Sequence, residues 1–197
     1  RSTYALGAIG GHEGRKLQAG DRLAVGRASI RTRVGRELPA ALAEAPPKTQ
    51  TLRVLPGLYD QRLEPESAAA FYEDVWTVTS EADRIGYRYK QGRPLRFRAR
   101  EQPFGAGADP SNIVDACYPI GSIQVPAGVE PIILHRDAVS GGGYAMIGTV
   151  ISADLDKVGQ MQPNQSAHFE RVTLEQAVAA RRDYRARFER LHQALSG

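Results

Sequence analysis

Short apolar runs separated by glycine and proline are the clearest pattern along the chain. Runs of this length and spacing are typical of β-strands bounded by turns. They predict strands over residues 51–55, 76–79, 83–90, 122–126, 131–135, 144–151 and 166–172. Gly92 is expected to turn the third run back into residues 95–98 as a hairpin. The pattern therefore indicates a mainly β (α+β) domain built as a β-barrel.

Helical signals are few and short, except at the C-terminus. Pro65 suits the first turn of a short helix that continues to residue 74. Ser152 is expected to cap a helix over residues 153–159, with Asp154 in its first turn. Thr173 and Gln176 form a capping box before the last helix. Its apolar residues recur at three- and four-residue spacing and predict a face that docks on the domain, with a partner helix as the alternative: Leu174, Ala177, Val178, Tyr184, Phe188, Leu191 and Leu195.

A proline- and alanine-rich stretch, residues 35–50, is the best candidate for a linker. Residues 1–45 are interpreted as the end of a preceding domain plus this linker, and residues 46–197 as the main domain. Glycines recur through the first 26 residues and predict turns between short extended pieces. Because the chain begins at Arg1, we expect a fragment of a longer protein whose N-terminal half is missing.

Charge and composition narrow the classes of partner. The net charge is +4 and the pI about 9.4, but the arginines are concentrated in residues 93–100 and 181–190. Neither cluster has the aromatic spacing of a nucleic-acid platform, and no apolar run is long enough to span a membrane. Cys117 is the single cysteine, which fits a reducing, cytoplasmic compartment. We therefore expect a small-molecule substrate rather than nucleic acid or a membrane.

The stretch from Asp109 to Tyr144 holds the candidate chemistry. Ser111, Asn112 and Asp115 precede two strand-like runs, and a glycine triplet at residues 141–143 follows them. Polar loops that flank strands can form a small-molecule site, although ordinary turns between strands explain the same pattern. No phosphate-binding loop, dinucleotide fingerprint or zinc motif is present, so no metal is expected.

Seven motifs occur in a fixed order along the chain. They are LRVLPG (52–57), DRIGYR (83–88), PSNIVD (110–115), GSIQVP (121–126), PIIL (131–134), GGY (142–144) and TVISADL (149–155). The series resembles the allophanate hydrolase subunit 2 family, which includes urea amidolyase-related proteins, kinase-inhibitor antagonists and a 5-oxoprolinase subunit. It is also similar to the second half of the carboxyltransferase domain of urea carboxylase.

The resemblance implies a cyclophilin-like β-barrel with a few short helices and a C-terminal helix. It also implies a partner, a subunit 1 homologue that is separate or fused. The expected reaction moves a carboxyl group from carboxybiotin, supplied by another domain or subunit, to a urea- or guanidine-like nitrogen, with ATP used elsewhere in the complex. The alternatives are an ATP-dependent amide hydrolase of the 5-oxoprolinase or allophanate-hydrolase type, and a regulatory binding module without activity.

Carboxyl transfer requires groups that orient N–H bonds and groups that stabilise a developing oxyanion. Asp115 and Asn112 have the first property, and the backbone amides of Gly142 and Gly143 have the second. Turn capping by Asn112 and loop closure by Asp137 are the structural alternatives. The predicted catalytic residues are Asp115, Asn112 and Asp137. The predicted substrate-binding residues are Ser111, Tyr118, Ser122, Gln124, Gly142, Gly143 and Tyr144.

Overall fold

The computed structural model describes residues 3–27, 35, 37–43 and 45–196. The chain divides into two compact units, Arg1–Glu37 and Leu38–Gly197. In the first unit, strands β1 (Thr3–Tyr4) and β2 (Ile9–Gly10) pair antiparallel around a 3-10 turn. Turns between short extended pieces are therefore confirmed there. Residues 36 and 44 of the predicted linker lie outside the described residues, and the boundary at residue 45 stays a prediction.

The second unit contains nine strands and three α-helices among its described residues. The strands are β3 (Thr49–Pro56), β4 (Val75–Ala82), β5 (Gly86–Lys90), β6 (Asn112–Cys117), β7 (Ser122–Gln124), β8 (Ile132–Leu134), β9 (Gly141–Tyr144), β10 (Met146–Val150) and β11 (Ser166–Arg171). The helices are α1 (Pro65–Glu73), α2 (Leu155–Gln160) and α3 (Leu174–Ser196). Seven of these strands form a closed barrel in the order β10-β3-β11-β4-β5-β8-β7. The predicted fold class, a β-barrel with a C-terminal helix, is confirmed.

The barrel interior is filled by alternate residues of the strands, because successive side chains of a strand point to opposite faces. Leu52 in β3, Trp76 in β4 and Phe169 in β11 are fully buried. Phe169 stacks on Phe71 of α1 with 4.6 Å between ring centroids. The indole N–H of Trp76 donates to the carbonyl of Phe71 at 3.1 Å. These contacts join α1 to the barrel, so the predicted short helix is part of the core.

The predicted hairpin around Gly92 is wrong. Strand β5 pairs instead with β4 and β8, and residues 93–100 form an extended segment with a single bridge, from Phe97 to Leu63. The alternation that suggested a strand is nevertheless real, since Leu95 and Phe97 are buried and Arg96 and Arg98 are exposed. The alternating pattern thus fixed the burial of this segment but not its pairing.

Strand β5 also begins later than predicted. The Asp83 carboxylate accepts hydrogen bonds from the backbone N–H groups of Ile85 and Gly86, at 2.7 and 3.2 Å, and so forms a turn. Ile85 is consequently 51% exposed instead of sharing the buried face of Tyr87 and Tyr89. A turn closed by the Asp83 side chain therefore takes the place of the first residues of the expected strand.

Helix α2 is not capped by Ser152, and its sequence prediction is wrong at this end. It begins at Leu155, and the fully buried Asp154 carboxylate makes no capping bond. That carboxylate accepts hydrogen bonds from Arg53 N, Nε and Nη2 at 2.9, 2.9 and 2.7 Å, and Lys157 Nζ lies at 2.9 Å. Burial alone would raise the pKa of Asp154, but the hydrogen bonds from Arg53 and Lys157 hold it below its usual value.

Helix α3 starts at the predicted capping box. The backbone N–H of Thr173 donates to Gln176 Oε1 at 2.7 Å, and the N–H of Gln176 donates to Thr173 Oγ1 at 3.3 Å. The docking face is narrower than the apolar stripe, because Ala177, Ala180 and Tyr184 pack on the barrel. Leu174, Val178 and Phe188 are 63%, 41% and 51% exposed. None of the helices in the described ranges is long and apolar enough to cross a membrane.

Replacing Phe169 with alanine should lower the free energy of unfolding by about 3–5 kcal/mol, because the cavity would lie between fully buried rings. The matched control is Leu174→Ala, which removes an exposed side chain and should change stability by about 0.5 kcal/mol or less. Urea denaturation of both variants measures the difference. Equal losses would contradict the assigned core.

Asp154→Asn should destabilise the fold by about 3–5 kcal/mol at neutral pH, because it leaves Arg53 without its buried partner. The folded-state pKa of Asp154 is depressed from 3.8, so its stabilisation is present above that value and is lost as the pH falls through the folded pKa. The variant should therefore show a flatter acid limb in stability–pH profiles, whereas Glu189→Gln, at an exposed position on α3, should retain the wild-type slope.

Candidate functional site

The candidate site is built on a two-stranded sheet, β6 and β9, whose strands do not pair with those of the barrel. The strands are antiparallel, with Asn112 opposite Tyr144 and Ala116 opposite Gly142, and their register is irregular between these pairs. Ile113 of β6 is buried in the main core, which fixes the sheet against the barrel. The predicted residues Asn112 and Asp115 therefore lie on a strand whose inner side is anchored.

The glycine triplet forms strand β9, whereas the sequence suggested a loop. A Cβ atom on Gly142 would lie 3.2 Å from the ring of Tyr118, and one on Gly143 would lie 3.2 Å from the carbonyl oxygen of Ile113. These contacts are tighter than most side chains accept, so the triplet allows close approach of its neighbours. Oxyanion stabilisation by the Gly142 and Gly143 amides stays a prediction, now for a paired strand.

Tyr118 connects the elements of the site. Its hydroxyl accepts a hydrogen bond from the N–H of Tyr144 at 2.9 Å and lies within donating distance of the Gly142 and Tyr144 carbonyls. The side chain of Gln124 is buried close to the same hydroxyl and opposes the rise in the pKa of Tyr118. Burial raises the pKa of Tyr118, and the negative charge of Asp115 raises it further. At neutral pH the phenol therefore keeps its proton and acts as a clamp on β9.

Asp115 presents its carboxylate to solvent beside this clamp. It is exposed on β6, and its Oδ1 lies 3.5 Å from where a Cβ of Gly141 would be. None of the ion pairs among the described residues includes Asp115. A carboxylate without a protein counter-ion can accept N–H groups from a ligand.

Three predicted residues make structural bonds. Ser111 Oγ donates to Asp109 Oδ1 at 2.6 Å and accepts from the N–H of Ala127 at 3.0 Å. Ser122 Oγ donates to the carbonyl of Pro119 at 2.6 Å and is fully buried. Asp137 binds Arg84 through both carboxylate oxygens, at 2.8 and 2.9 Å, which lowers the pKa of Asp137. Loop closure accounts for this contact, and a catalytic role of Asp137 stays a prediction.

Tyr59 and Arg62 lie beside the site and were not predicted from the sequence. The guanidinium carbon of Arg62 lies 4.4 Å from the centre of the Tyr59 ring, and Arg62 Nη1 donates to the carbonyl of Asn112 at 3.4 Å. Tyr59 also packs against the cluster of Tyr118 and Met146. Both residues follow the LRVLPG motif at a Tyr-x-x-Arg spacing, which is a weak signal that could have identified them.

The site offers hydrogen-bonding side chains and no metal centre. No group of three or more histidine, cysteine, aspartate or glutamate residues within the described ranges could hold a metal ion. Around Tyr118 the chain places a carboxylate, a carboxamide and a guanidinium, from Asp115, Gln124 and Arg62. Such a set can bind a small polar molecule that carries both N–H donors and carbonyl acceptors.

Comparison with known proteins identifies the class. Residues 1–171 match the family described as carboxyltransferase domain, subdomain A and B, and the chain belongs to this family. It is 35% identical over 182 residues to a 5-oxoprolinase subunit of Haemophilus influenzae, covering 92% of this chain and 53% of that protein. It is 32% identical over 185 residues to urea amidolyase of Lachancea kluyveri, covering 86% of this chain and 10% of that protein.

Solved structures agree with this assignment. The Kluyveromyces lactis urea carboxylase superimposes with a TM-score of 0.79 at 28% identity, covering 98% of this chain and 18% of that one. The family resemblance expected from the motif series is thereby confirmed. The chain spans about half the length of the Haemophilus protein and a smaller share of the amidolyase and carboxylase.

Tyr118→Phe should destabilise the fold by about 1–3 kcal/mol, because the N–H of Tyr144 would lose its acceptor. The loss should be local to β9, so hydrogen exchange at the Tyr144 amide should accelerate more than at Val150 in the barrel strand β10. Equal acceleration at both amides would show that the hydroxyl does not hold β9 specifically. Tyr4→Phe, which alters an exposed tyrosine of the first unit, is the control.

Proposed function

We propose that this chain is the carboxyltransferase module of a biotin-dependent complex that carboxylates the nitrogen of a urea- or guanidine-like substrate. The observation that carries the proposal is the Tyr118 cluster, which brings Asp115 and Gln124 together beside Arg62. Membership of the carboxyltransferase family and the likeness to urea carboxylase and urea amidolyase support it.

The chemistry of the donor set fits the ureido ring of carboxybiotin. Its carbonyl needs a hydrogen-bond donor and its N–H an acceptor, and the carboxamide of Gln124 offers both. Gln124 would hold the group, which would supply an activated carboxyl group when bound. The carrier belongs to another domain or subunit, and ATP is used elsewhere in the complex.

Asp115 has the central role in the proposed reaction. Its carboxylate accepts hydrogen bonds from the N–H groups of the substrate and so orients the reacting nitrogen. A carboxylate oxygen of Asp115 would take up the proton that this nitrogen loses as it bonds to the carboxyl carbon. The bond from that carbon to the ureido nitrogen of the carrier would break in the same step, and Asp115 would return the proton to that leaving nitrogen. The side chain of Asn112 assists in orienting the substrate. Tyr118 stays protonated and keeps β9 in place, so that the backbone of Gly142 and Gly143 faces the developing oxyanion.

The proposed partner is a subunit 1 homologue, separate or fused. The Haemophilus relative is by its name one subunit of an enzyme, and the amidolyase and carboxylase relatives contain this region within much longer chains. The remaining half of a chain like the Haemophilus protein is the other proposed component.

A 5-oxoprolinase-type function is the second candidate. The identity of 35% to the Haemophilus 5-oxoprolinase subunit favours it. In that case ATP-assisted opening of a cyclic amide would be shared between subunits, and the partner would bind the nucleotide because this chain has no phosphate-binding loop.

Turnover by the full-length protein with its partner separates these functions. ATP, bicarbonate and a biotinylated carrier would be supplied, with urea, guanidine and 5-oxoproline offered separately. ATP hydrolysis that requires both biotin and urea or guanidine is the expected result. Biotin-independent turnover of 5-oxoproline would establish the second candidate, and inactivity on all three substrates in a folded complex would leave a regulatory binding module.

Asp115→Asn in the intact complex should reduce turnover at least about tenfold, because the variant neither accepts a proton nor carries the charge that orients N–H bonds. Thermal melting should be unchanged, since Asp115 is exposed. Asp183→Asn on α3 makes the same substitution at another exposed site and should leave turnover intact. Wild-type turnover in the Asp115 variant would remove this residue from the mechanism.

A further inference from the structure

Three arginines, Arg62, Arg98 and Arg100, lie close together next to the Tyr118 cluster. The bridge between Leu63 and Phe97, and the bond from Arg98 N–H to the Arg62 carbonyl at 2.7 Å, place Arg62 opposite Arg98. Leu63 and Phe97 are buried, whereas Arg98 is exposed and Arg62, the last residue of a 3-10 helix, is half-buried. Arg100 is close enough for its charge to lower the pKa of Arg62.

These three arginines have no carboxylate partner at ion-pair distance within the described part of the chain. None of the ion pairs there includes Arg62, Arg98 or Arg100. Their guanidinium groups contact backbone carbonyls instead. Arg62 donates to Asn112 at 3.4 Å, Arg98 to Leu63 at 3.1 Å and Arg100 to Glu101 at 3.3 Å.

Arg62 is the most confined of the three. It is half-buried, and burial is the largest cause that lowers its pKa, ahead of the charge of Arg100. A desolvated cation beside like charges costs free energy unless an anion offsets it. The guanidinium of Arg62 lies over the ring of Tyr59, and a planar guanidinium matches the two oxygens of a carboxylate.

We infer that Arg62, supported by Arg98 and Arg100, binds a carboxylate group of the substrate beside the reacting centre at Tyr118. The preferred substrate is then an acid that also carries a ureido, guanidino or cyclic amide group, with urea or guanidine itself a weaker substrate. The inference rests on the proposed function for the position of the reacting centre. Arg62 is linked to that centre through Asn112 and through Tyr59, which packs with Tyr118.

Calorimetric binding to the full-length protein with its partner tests the inference without any turnover. Two acids are compared with their neutral carboxamides, namely ureidoacetate with ureidoacetamide and 5-oxoproline with 5-oxoprolinamide. At least one acid should bind about tenfold or more tightly than its amide, because charge-assisted hydrogen bonds are lost with the carboxylate. Arg62→Gln should abolish this preference, and Arg100→Gln should reduce it.

Arg181→Gln is the matched control, because it removes the same charge from an exposed position on α3 and should keep the preference. If Arg62→Gln fails to fold, the double variant Arg98→Gln/Arg100→Gln, whose changed side chains are exposed, should still weaken acid binding. Equal affinities for acid and amide, no binding of either acid, or a preference that survives in Arg62→Gln would overturn the inference.

The binding experiment and the turnover experiment test the anion site and the proposed reaction independently of each other. A carboxylate preference without biotin-dependent turnover would retain the anion site and reject the proposed reaction. Biotin-dependent turnover of urea with no carboxylate preference would retain the reaction and reject the anion site. Which acid binds more tightly also distinguishes a ureido substrate from a cyclic amide.

Discussion

The parallel pairing of β3 with β11 is the contact on which the second unit depends. It joins residues 49–54 to residues 166–171, and without it the seven strands would form an open sheet. Parallel neighbours need a long connection. Here that connection contains every other barrel strand, α1 and the β6–β9 sheet. Phe169 on β11 and Leu52 on β3 point into the same core, so hydrophobic burial and strand pairing favour the same register. The same pairing fixes where α3 begins, because the helix follows β11 almost directly.

The environment of each carboxylate decides its role. Asp154 is fully buried and held by Arg53 and Lys157, so its charge contributes to stability. Asp137 forms a two-point contact with Arg84 that joins two loops. Asp115 is exposed and has no ion-pair partner in the described structure, which leaves its carboxylate available to a ligand. Aspartate therefore has a different role in the core, in a loop and in the candidate site. The groups that contact each carboxylate determine which role it has.

The candidate site combines a rigid barrel with a less regular sheet. The β6–β9 sheet has a register shift, and hydrogen bonds to the Tyr118 hydroxyl hold β9 in place. The sequence motifs predicted Tyr118, Gln124 and Asp115 because polar residues stand out there among apolar runs, and their roles toward a substrate stay predictions. Arg62 was missed because an arginine in a short turn carries no local signal. Its meaning depends on Tyr59 and on a segment 36 residues later that carries Arg98.

The sequence by itself determined the strands with strong alternation, the capping box of α3 and the membership of a carboxyltransferase family. These features depend on residues that are close together in the chain, so the local sequence pattern predicts them. The tertiary structure decided the pairing of residues 93–100, the strand conformation of the glycine triplet and the partner of Asp154. Each depends on groups that are distant in sequence, such as Arg53, which lies 101 residues before Asp154. A local pattern specifies which side of a segment is apolar, but long-range packing and buried charge select the surface that the segment meets.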